Sequence, residues 1–402
     1  MPDEDRIAAR LETLWQIAHG PAGGADRPAF SAAEARAMLL VAGWAREAGL
    51  EPGVDRHGNL WALPPGWTGP LVSAGSHVDT VPDGGRYDGA LGTVLGLELA
   101  HELRDGTAAG ARPALLICAA EEAPRFGAGT IGSRLLVGTL PEDALEAMHD
   151  AGGTTAAQAK AAYLEALGEL AGIEAPVGRM LAHAEIHVAQ RRSLRELGIV
   201  TRVASPRRFE IDCRGEAGHS GEISMEERRD ALAAAAELIL AVEAAAQAEP
   251  RQTVATVGSI AVAPGAVSVI PSDARLALDV RAIASDSLAR LDAEIRSRAA
   301  EIAARRQVTI TVRLVRGGEP VALDPGLAQV ALASAQQHGI AAVETWSGAG
   351  HDAQHLAALM PTLLLFVPLE GGESHTPQEG ASQPGILNAA LIACAALGTF
   401  RP

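Results

Sequence analysis

Gly75-Ser76-His77-Val78-Asp79-Thr80-Val81-Pro82-Asp83-Gly84-Gly85-Arg86-Tyr87-Asp88-Gly89 is the stretch that decides how this chain reads. The apolar run Leu71-Val72-Ser73-Ala74 delivers it and predicts the end of a buried strand. Gly and Pro shape the loop that follows. His77, Asp79 and Asp88 give it chemistry, because imidazole and carboxylate suit zinc- and manganese-type divalent ions. In His77-x-Asp79 the aspartate can orient the imidazole from behind. Asp88, on a Gly-flanked turn, has two oxygens and could bridge two metals. The plain alternative is a polar loop at a strand end.

Working outward, the N-terminal side predicts an amphipathic helix over 4–19, with Ile7, Leu11, Leu14 and Ile17 at helical spacing. A Gly/Pro/Ala loop follows, and Ser31 reads as the N-cap of a helix ending near Gly49. Gly58-Asn59 turns into a strand at 60–63. On the C-terminal side come a helix from Leu91 to Leu103 and a strand at 114–119 that runs into Glu121-Glu122. Alternating strands and helices imply an α/β layer architecture with a largely parallel sheet. Sites in such sheets lie beyond the carboxyl ends of the strands. One site could therefore use both the 75–89 loop and Glu121-Glu122.

Residues 141–179 are Ala-rich and read as helical. His183 to Val188 alternates like a strand and ends on His187. From about residue 205 a β-α-β-β-α-β pattern predicts a ferredoxin-like unit. It comprises a strand at 207–213, a turn holding His219, a helix at 225–246, strands at 253–262 and 274–282, a helix at 286–305 and a strand at 307–315. The expected organisation is a catalytic domain over 1–204 and 319–402, a mixed sheet flanked by helices, with 205–318 inserted as a second domain. After 319 the loops Ser347–Asp352 and Glu373–Pro377 flank a strand at 362–367, and a helix closes the chain at 384–398.

With 402 residues, 48% hydrophobic and 20% charged, the chain can bury a large core. No apolar run approaches the roughly 18 to 20 residues that span a membrane, and the charged N-terminus lacks a signal-peptide core. The formal net charge of −16 argues against nucleic acid, which needs clustered cations. Cys118, Cys213 and Cys394 are scattered without metal-type spacing, and read as reduced core residues of a cytoplasmic protein.

Each motif alone is weak, since a loop histidine is usually solvated and an acidic pair is usually a wet face. Their co-occurrence is what counts: His77, Asp88, Glu122, His187 and His375 all fall at or near predicted strand ends, with Glu121 beside one of them. GSHVDTVPDGGRYDG, AAEEAPRFGAGTIGS, AEIHVAQ, RGEAGHSG, SGAGHDA and ESHTPQE together resemble the amidase, hydantoinase and carbamoylase branch of the M20 metallopeptidase superfamily. N-carbamoyl-L-amino acid hydrolases and allantoate amidohydrolases belong to that branch. The resemblance spans nearly the whole chain.

The resemblance implies a metallopeptidase-like catalytic domain with two divalent ions, Zn²⁺ or Mn²⁺ and alternatively Co²⁺ or Ni²⁺. His77, Asp88 and His187 would hold one ion. Asp88, Glu122 and His375 would hold the other, and Glu121 would be the general base. His219 would help hold the substrate or its developing oxyanion, and Arg281 would clasp a substrate carboxylate. Gln190, Ser268 and His351 are further substrate-contact candidates. The inserted domain would act in dimerisation and as a lid. The departures cluster around substrate: Ala189-Gln190-Arg191 replaces the usual Glu-Gln-Gly, and Ser268 stands where the family has an asparagine. The implied activity is hydrolysis of a linear C–N bond in a small anionic substrate. The rivals are an aminoacylase or dipeptidase of the same superfamily, a specialised amidohydrolase of an unusual small molecule, and a non-catalytic binding protein on the same scaffold.

Overall fold

The computed structural model describes residues 2–371 and 373–401. Close contacts divide the chain into two compact units. The first comprises Met1–Thr201, Ala322–Trp346 and Gly350–Pro402, and the second comprises Arg202–Val321 with Ser347–Ala349.

The first unit is built on a mixed sheet flanked by helices. Four neighbouring strands at its centre run parallel, in the order Thr362–Val367, Met180–Val188, Leu71–Ala74, Arg112–Ile117. Leu60–Leu63 then pairs antiparallel with Arg112–Ile117, and Leu197–Val203 pairs antiparallel with Thr362–Val367 on the other side. Strands covered on both faces are near-continuous apolar runs, interrupted only by polar side chains that find partners. Leu71–Ala74, Thr362–Val367 and every residue of Met180–Val188 except Leu181 are buried. The helix Ala90–Glu102 is buried along nearly its whole length, which explains why it reads as uniformly apolar rather than amphipathic. Because the four central strands are parallel, their carboxyl ends fall on one edge of the sheet. That edge receives Gly75 onward, Cys118 onward, His187 and the loop after Val367.

The helix expected over 4–19 ends at Trp15, capped at its start by Asp3. Ser31 does cap its helix, accepting from the Glu34 N–H, and that helix runs Ala32–Glu47. Residues 141–179 depart most from expectation. Only Ala156–Ala166 is α-helical, with 3₁₀ turns at Glu142–Ala147 and Val177–Arg179. Asp150 breaks the run by accepting the N–H groups of Gly152 and Thr154 in a turn.

The second unit is a four-stranded antiparallel sheet in the order Val254–Ala263, Asp273–Ala282, Ser205–Arg214, Thr309–Arg316. The helices Ala231–Ala248 and Ser285–Arg306 pack on it through Leu238, Val242, Leu288, Leu291 and Ile295. This is the ferredoxin-like β-α-β-β-α-β order. Ala231–Ala248 is long and apolar enough to meet the length and composition test for a membrane span, which corrects the expectation that no run comes close. Its inner face lies in the core of this unit, and its Glu237 pairs with Arg305 and Arg306. The helix thus packs one face on the sheet and carries an ion-paired carboxylate.

Candidate metal centre

The loop after Leu71–Ala74 folds back under His77. Gly89 has a φ of 65°, and a Cβ there would lie 2.5 Å from the His77 ring, so no other residue fits this turn without displacing it. The His77 Nδ1 lies 3.0 Å from the main-chain carbonyl of Asp79 and 3.3 Å from its carboxylate. A proton on Nδ1 satisfies that carbonyl and leaves the Nε2 lone pair exposed to the site. This Nε2 is buried without a hydrogen-bond partner, 3.8 Å from Asp88 Oδ1 and 3.9 Å from Glu121 Oε2. A buried nitrogen facing two carboxylates and bonded to neither is a poor hydrogen-bonding arrangement and a good cation ligand.

Asp79 does more than orient His77. Its two oxygens accept the N–H groups of Glu121 and Glu122, at 3.1 and 2.9 Å. The turn that presents both glutamates is thereby tied to the His77 loop. Glu34, fully buried on the second helix, accepts the N–H of Ala120 at 2.9 Å and supports that turn from the other side. Asn59 explains the Gly58-Asn59 motif: its Oδ1 accepts the Ala119 N–H, and its amide donates to Asp55.

Asp88 stands at the centre. His187 Nδ1 lies 3.0 Å from its Oδ1, and His375 Nε2 lies 3.0 Å from its Oδ2. Glu122 Oε1 is 3.5 Å from the same His375 nitrogen. Two groups of ligand atoms result, His77–Asp88–His187 and Asp88–Glu122–His375, each gathered within 4.8 Å. Asp88 is common to both. Burial opposes charge on Asp88, but hydrogen bonds from His187 and His375 outweigh it and hold the carboxyl well below the usual range. Burial pushes the Glu121 carboxyl well up, opposed by His77 and reinforced by Glu122 and Asp352. The donor set, imidazole and carboxylate in two triads sharing one aspartate, fits a divalent cation.

Besides Glu34, two carboxylates beside the ligand groups escaped the sequence reading. Glu379 accepts the N–H groups of Tyr87 and Asp88, at 2.7 and 3.1 Å. It occupies the space that a Cβ on Gly85 would take, 2.1 Å from Glu379 Oε2. Glu185 lies 3.0 Å from His187 Nε2. The signal for both was weak: a glutamate four residues past His375 and one two residues before His187. His351, expected among the substrate contacts, is fully buried, with its ring 4.5 Å from that of His187 and packed on Phe366. It backs His187.

In the second unit, His219 is exposed and its strand pairs with Val269–Ile270. Ser268 lies beside it, accepting the Ser220 N–H through its carbonyl. Arg281 pairs with Asp279 at 2.8 Å and donates to the Gly348 carbonyl. Gln190 and Arg191 follow His187 in the first unit, where the Arg191 guanidinium stacks on Trp346 and bonds Thr345.

Fold and side chains together define an α/β protein with a histidine–carboxylate metal centre at the carboxyl edge of its sheet. The family model for peptidase family M20/M25/M40 matches residues 74–398, and the chain belongs to that family. An N-carbamoyl-L-amino acid amidohydrolase of Geobacillus stearothermophilus is 36% identical over 94% of this chain and 94% of its own length. An allantoate amidohydrolase of Bacillus subtilis is 30% identical over 94% of this chain and 92% of its own. Among solved structures, an amidase of the hydantoinase/carbamoylase family from Burkholderia multivorans superposes with a TM-score of 0.87. It is 30% identical, with 99% of this chain and 97% of that one covered.

Proposed function

We propose that this chain is a metal-dependent amidohydrolase that cleaves a linear C–N bond of a ureido or amide group in a small anionic substrate. N-carbamoyl-L-amino acids and related ureido acids are the leading class. The observation that carries this reading is the unpartnered, buried Nε2 of His77 facing Asp88 and Glu121. The named activities of the relatives supply the bond type.

The reading assigns two ions per chain, Zn²⁺ or Mn²⁺ with Co²⁺ or Ni²⁺ as alternatives, one in each triad and with Asp88 shared. Such ions supply Lewis-acid polarisation and ease the deprotonation of water. Glu121 is the proposed base. Its raised affinity for protons suits a carboxylate that takes a proton from water and then delivers it to the departing nitrogen. Asp79 holds the Glu121 backbone in place while this happens. Roles for His219, Arg281, Gln190 and Ser268 in holding substrate belong to the same proposal.

We also propose a homodimer formed through the second unit. The large apolar side chains Leu240, Val254, Ile260, Val267 and Leu314 are exposed there, and Val254–Ala263 and Thr309–Arg316 are the edge strands of its sheet.

The test is product analysis. Protein stripped with chelator and reloaded with Mn²⁺ or Zn²⁺ is given N-carbamoyl-L-amino acids, β-ureido acids and allantoate. N-acyl amino acids and dipeptides are assayed in parallel for amine release. Ammonia release from a ureido compound, absent before reloading, is the expected result. Amine release from acyl amino acids or dipeptides without any ammonia would overturn the ureido assignment.

A further inference from the structure

His187 is held between two carboxylates. Its Nδ1 lies 3.0 Å from Asp88 Oδ1, on the cation side, and its Nε2 lies 3.0 Å from Glu185 Oε1, on the opposite side of the ring. Glu185 is fully buried and is itself fixed. Its Oε1 accepts from the Ser76 hydroxyl at 3.1 Å, and its Oε2 accepts the Ala353 N–H at 2.5 Å. Ser76 directly precedes His77. Three donors from three segments therefore converge on one carboxylate, behind a ring whose other nitrogen faces the proposed cation.

A neutral imidazole carries one proton and one lone pair, and the tautomer decides which nitrogen offers which. With the proton on Nε2, the ring donates to Glu185 and aims the Nδ1 lone pair at the cation. The other tautomer would set a proton against the cation and a lone pair against the Glu185 carboxylate; the Ser76 hydroxyl, 2.9 Å from Nε2, could donate to that lone pair only by giving up its bond to Glu185. The His351 ring, tilted against that of His187 with centroids 4.5 Å apart, restricts the alternative of turning the His187 ring over.

We propose that Glu185 is a positioning residue that fixes the tautomer and orientation of His187, so that Nδ1 rather than Nε2 is the metal-binding atom. This rests on the metal reading of His187 above. Glu185, His187 and His351 also bring ligand atoms within 4.8 Å of one another, which offers a rival reading as a cation site of its own. The geometry favours positioning, because both Glu185 oxygens already accept hydrogen bonds from donors that a cation would not replace.

The experiment measures metal binding, not turnover. Chelator-competition titrations with Zn²⁺ compare wild type, Glu185→Gln, Ser76→Ala and His187→Ala, each checked for folding by its thermal transition. Glu185→Gln keeps the shape but places an amide where three donors need acceptors. The expected result is an affinity lower by about 10- to 100-fold at the site that His187→Ala removes, with the remaining site unchanged. Ser76→Ala removes the hydroxyl 2.9 Å from His187 Nε2 but leaves the Glu185 carboxylate 3.0 Å from that nitrogen, and should shift that affinity less than Glu185→Gln does. Wild-type affinity in Glu185→Gln, with an ion lost in His187→Ala, would overturn the positioning role and leave the metal reading standing. Unchanged binding in His187→Ala would remove the metal reading, and this proposal with it. Three ions bound per wild-type chain would make Glu185 a ligand and overturn the proposal. If Glu185→Gln does not fold, ¹⁵N-histidine spectra of zinc-loaded wild type still decide. A proton on His187 Nε2 is expected, and a proton on Nδ1 would contradict the proposal.

Discussion

The first unit buries His77, Asp79, Asp88, Glu121, Glu122, Glu185 and His187, whereas the second buries no charged side chain among its described residues. The second unit has the reverse excess: Met225, Leu240, Val254, Ile260, Val267, Leu314 and Val315 are all exposed there, against Val343 and Leu359 in the first. Burying ionisable groups costs several kcal/mol each unless partners or a cation compensate. Exposing large apolar groups is a cost that a protein partner removes. The contrast teaches that one unit encloses its ionisable groups while the other leaves large apolar side chains open, as the proposed dimer would require.

The strongest way to break that contrast is to disable the charged interior without unfolding it. Glu121→Gln preserves shape and removes the proposed base. Turnover of an identified substrate should fall by about 10³-fold, or roughly 4 kcal/mol of barrier, with bound metal unchanged. Unaltered turnover would show that Glu121 transfers no proton.

A second test concerns a buried group that stays neutral. Burial lowers the His183 pKa to about 4, and its Nδ1 lies 2.8 Å from the Ser73 hydroxyl. An unfolded histidine titrates near 6.5. Between about pH 6.5 and pH 4 the unfolded chain therefore holds the extra proton, and stability falls as pH falls, by up to about 3 kcal/mol across that window. Urea midpoints at pH 7.5 and 4.5 should separate more widely for wild type than for His183→Asn. Equal separations would mean that His183 contributes nothing to acid sensitivity.

The smallest effect on stability is expected on the exposed face of the second unit. Leu240→Glu combined with Val267→Asp should reduce the sedimenting mass from two chains to one while changing the unfolding free energy by about 0.5 kcal/mol or less. Unchanged mass would place the dimer contact elsewhere or deny it.

How much of this was legible depended on where the information lay. That His77, Asp88, Glu122, His187 and His375 could gather was readable because each carries a ligand group and lies at, or in the loop beyond, the carboxyl end of a strand, both local facts of sequence. Ser31 was legible as a cap because its partner is three residues away. Glu185, Glu379 and Glu34 were not. Each acts on a backbone or ring brought to it by sheet order, across separations such as the 168 residues between Glu185 and Ala353. The burial of His351 was not legible for the same reason: packing on His187 and Phe366 encloses it. The 141–179 region misled differently. Alanine content predicts helix, and Asp150 with two glycines overrides it locally.

The measurement that bears most directly on the account is equilibrium dialysis of wild type and Asp88→Ala against Zn²⁺ or Mn²⁺, with metal and protein quantified together. Asp88 touches both His187 and His375, so the account predicts two ions per wild-type chain and weakened binding at both sites in the variant. Asp88→Ala that stays folded and binds as many ions as wild type, with the same affinity, would contradict a metal centre organised around that carboxylate.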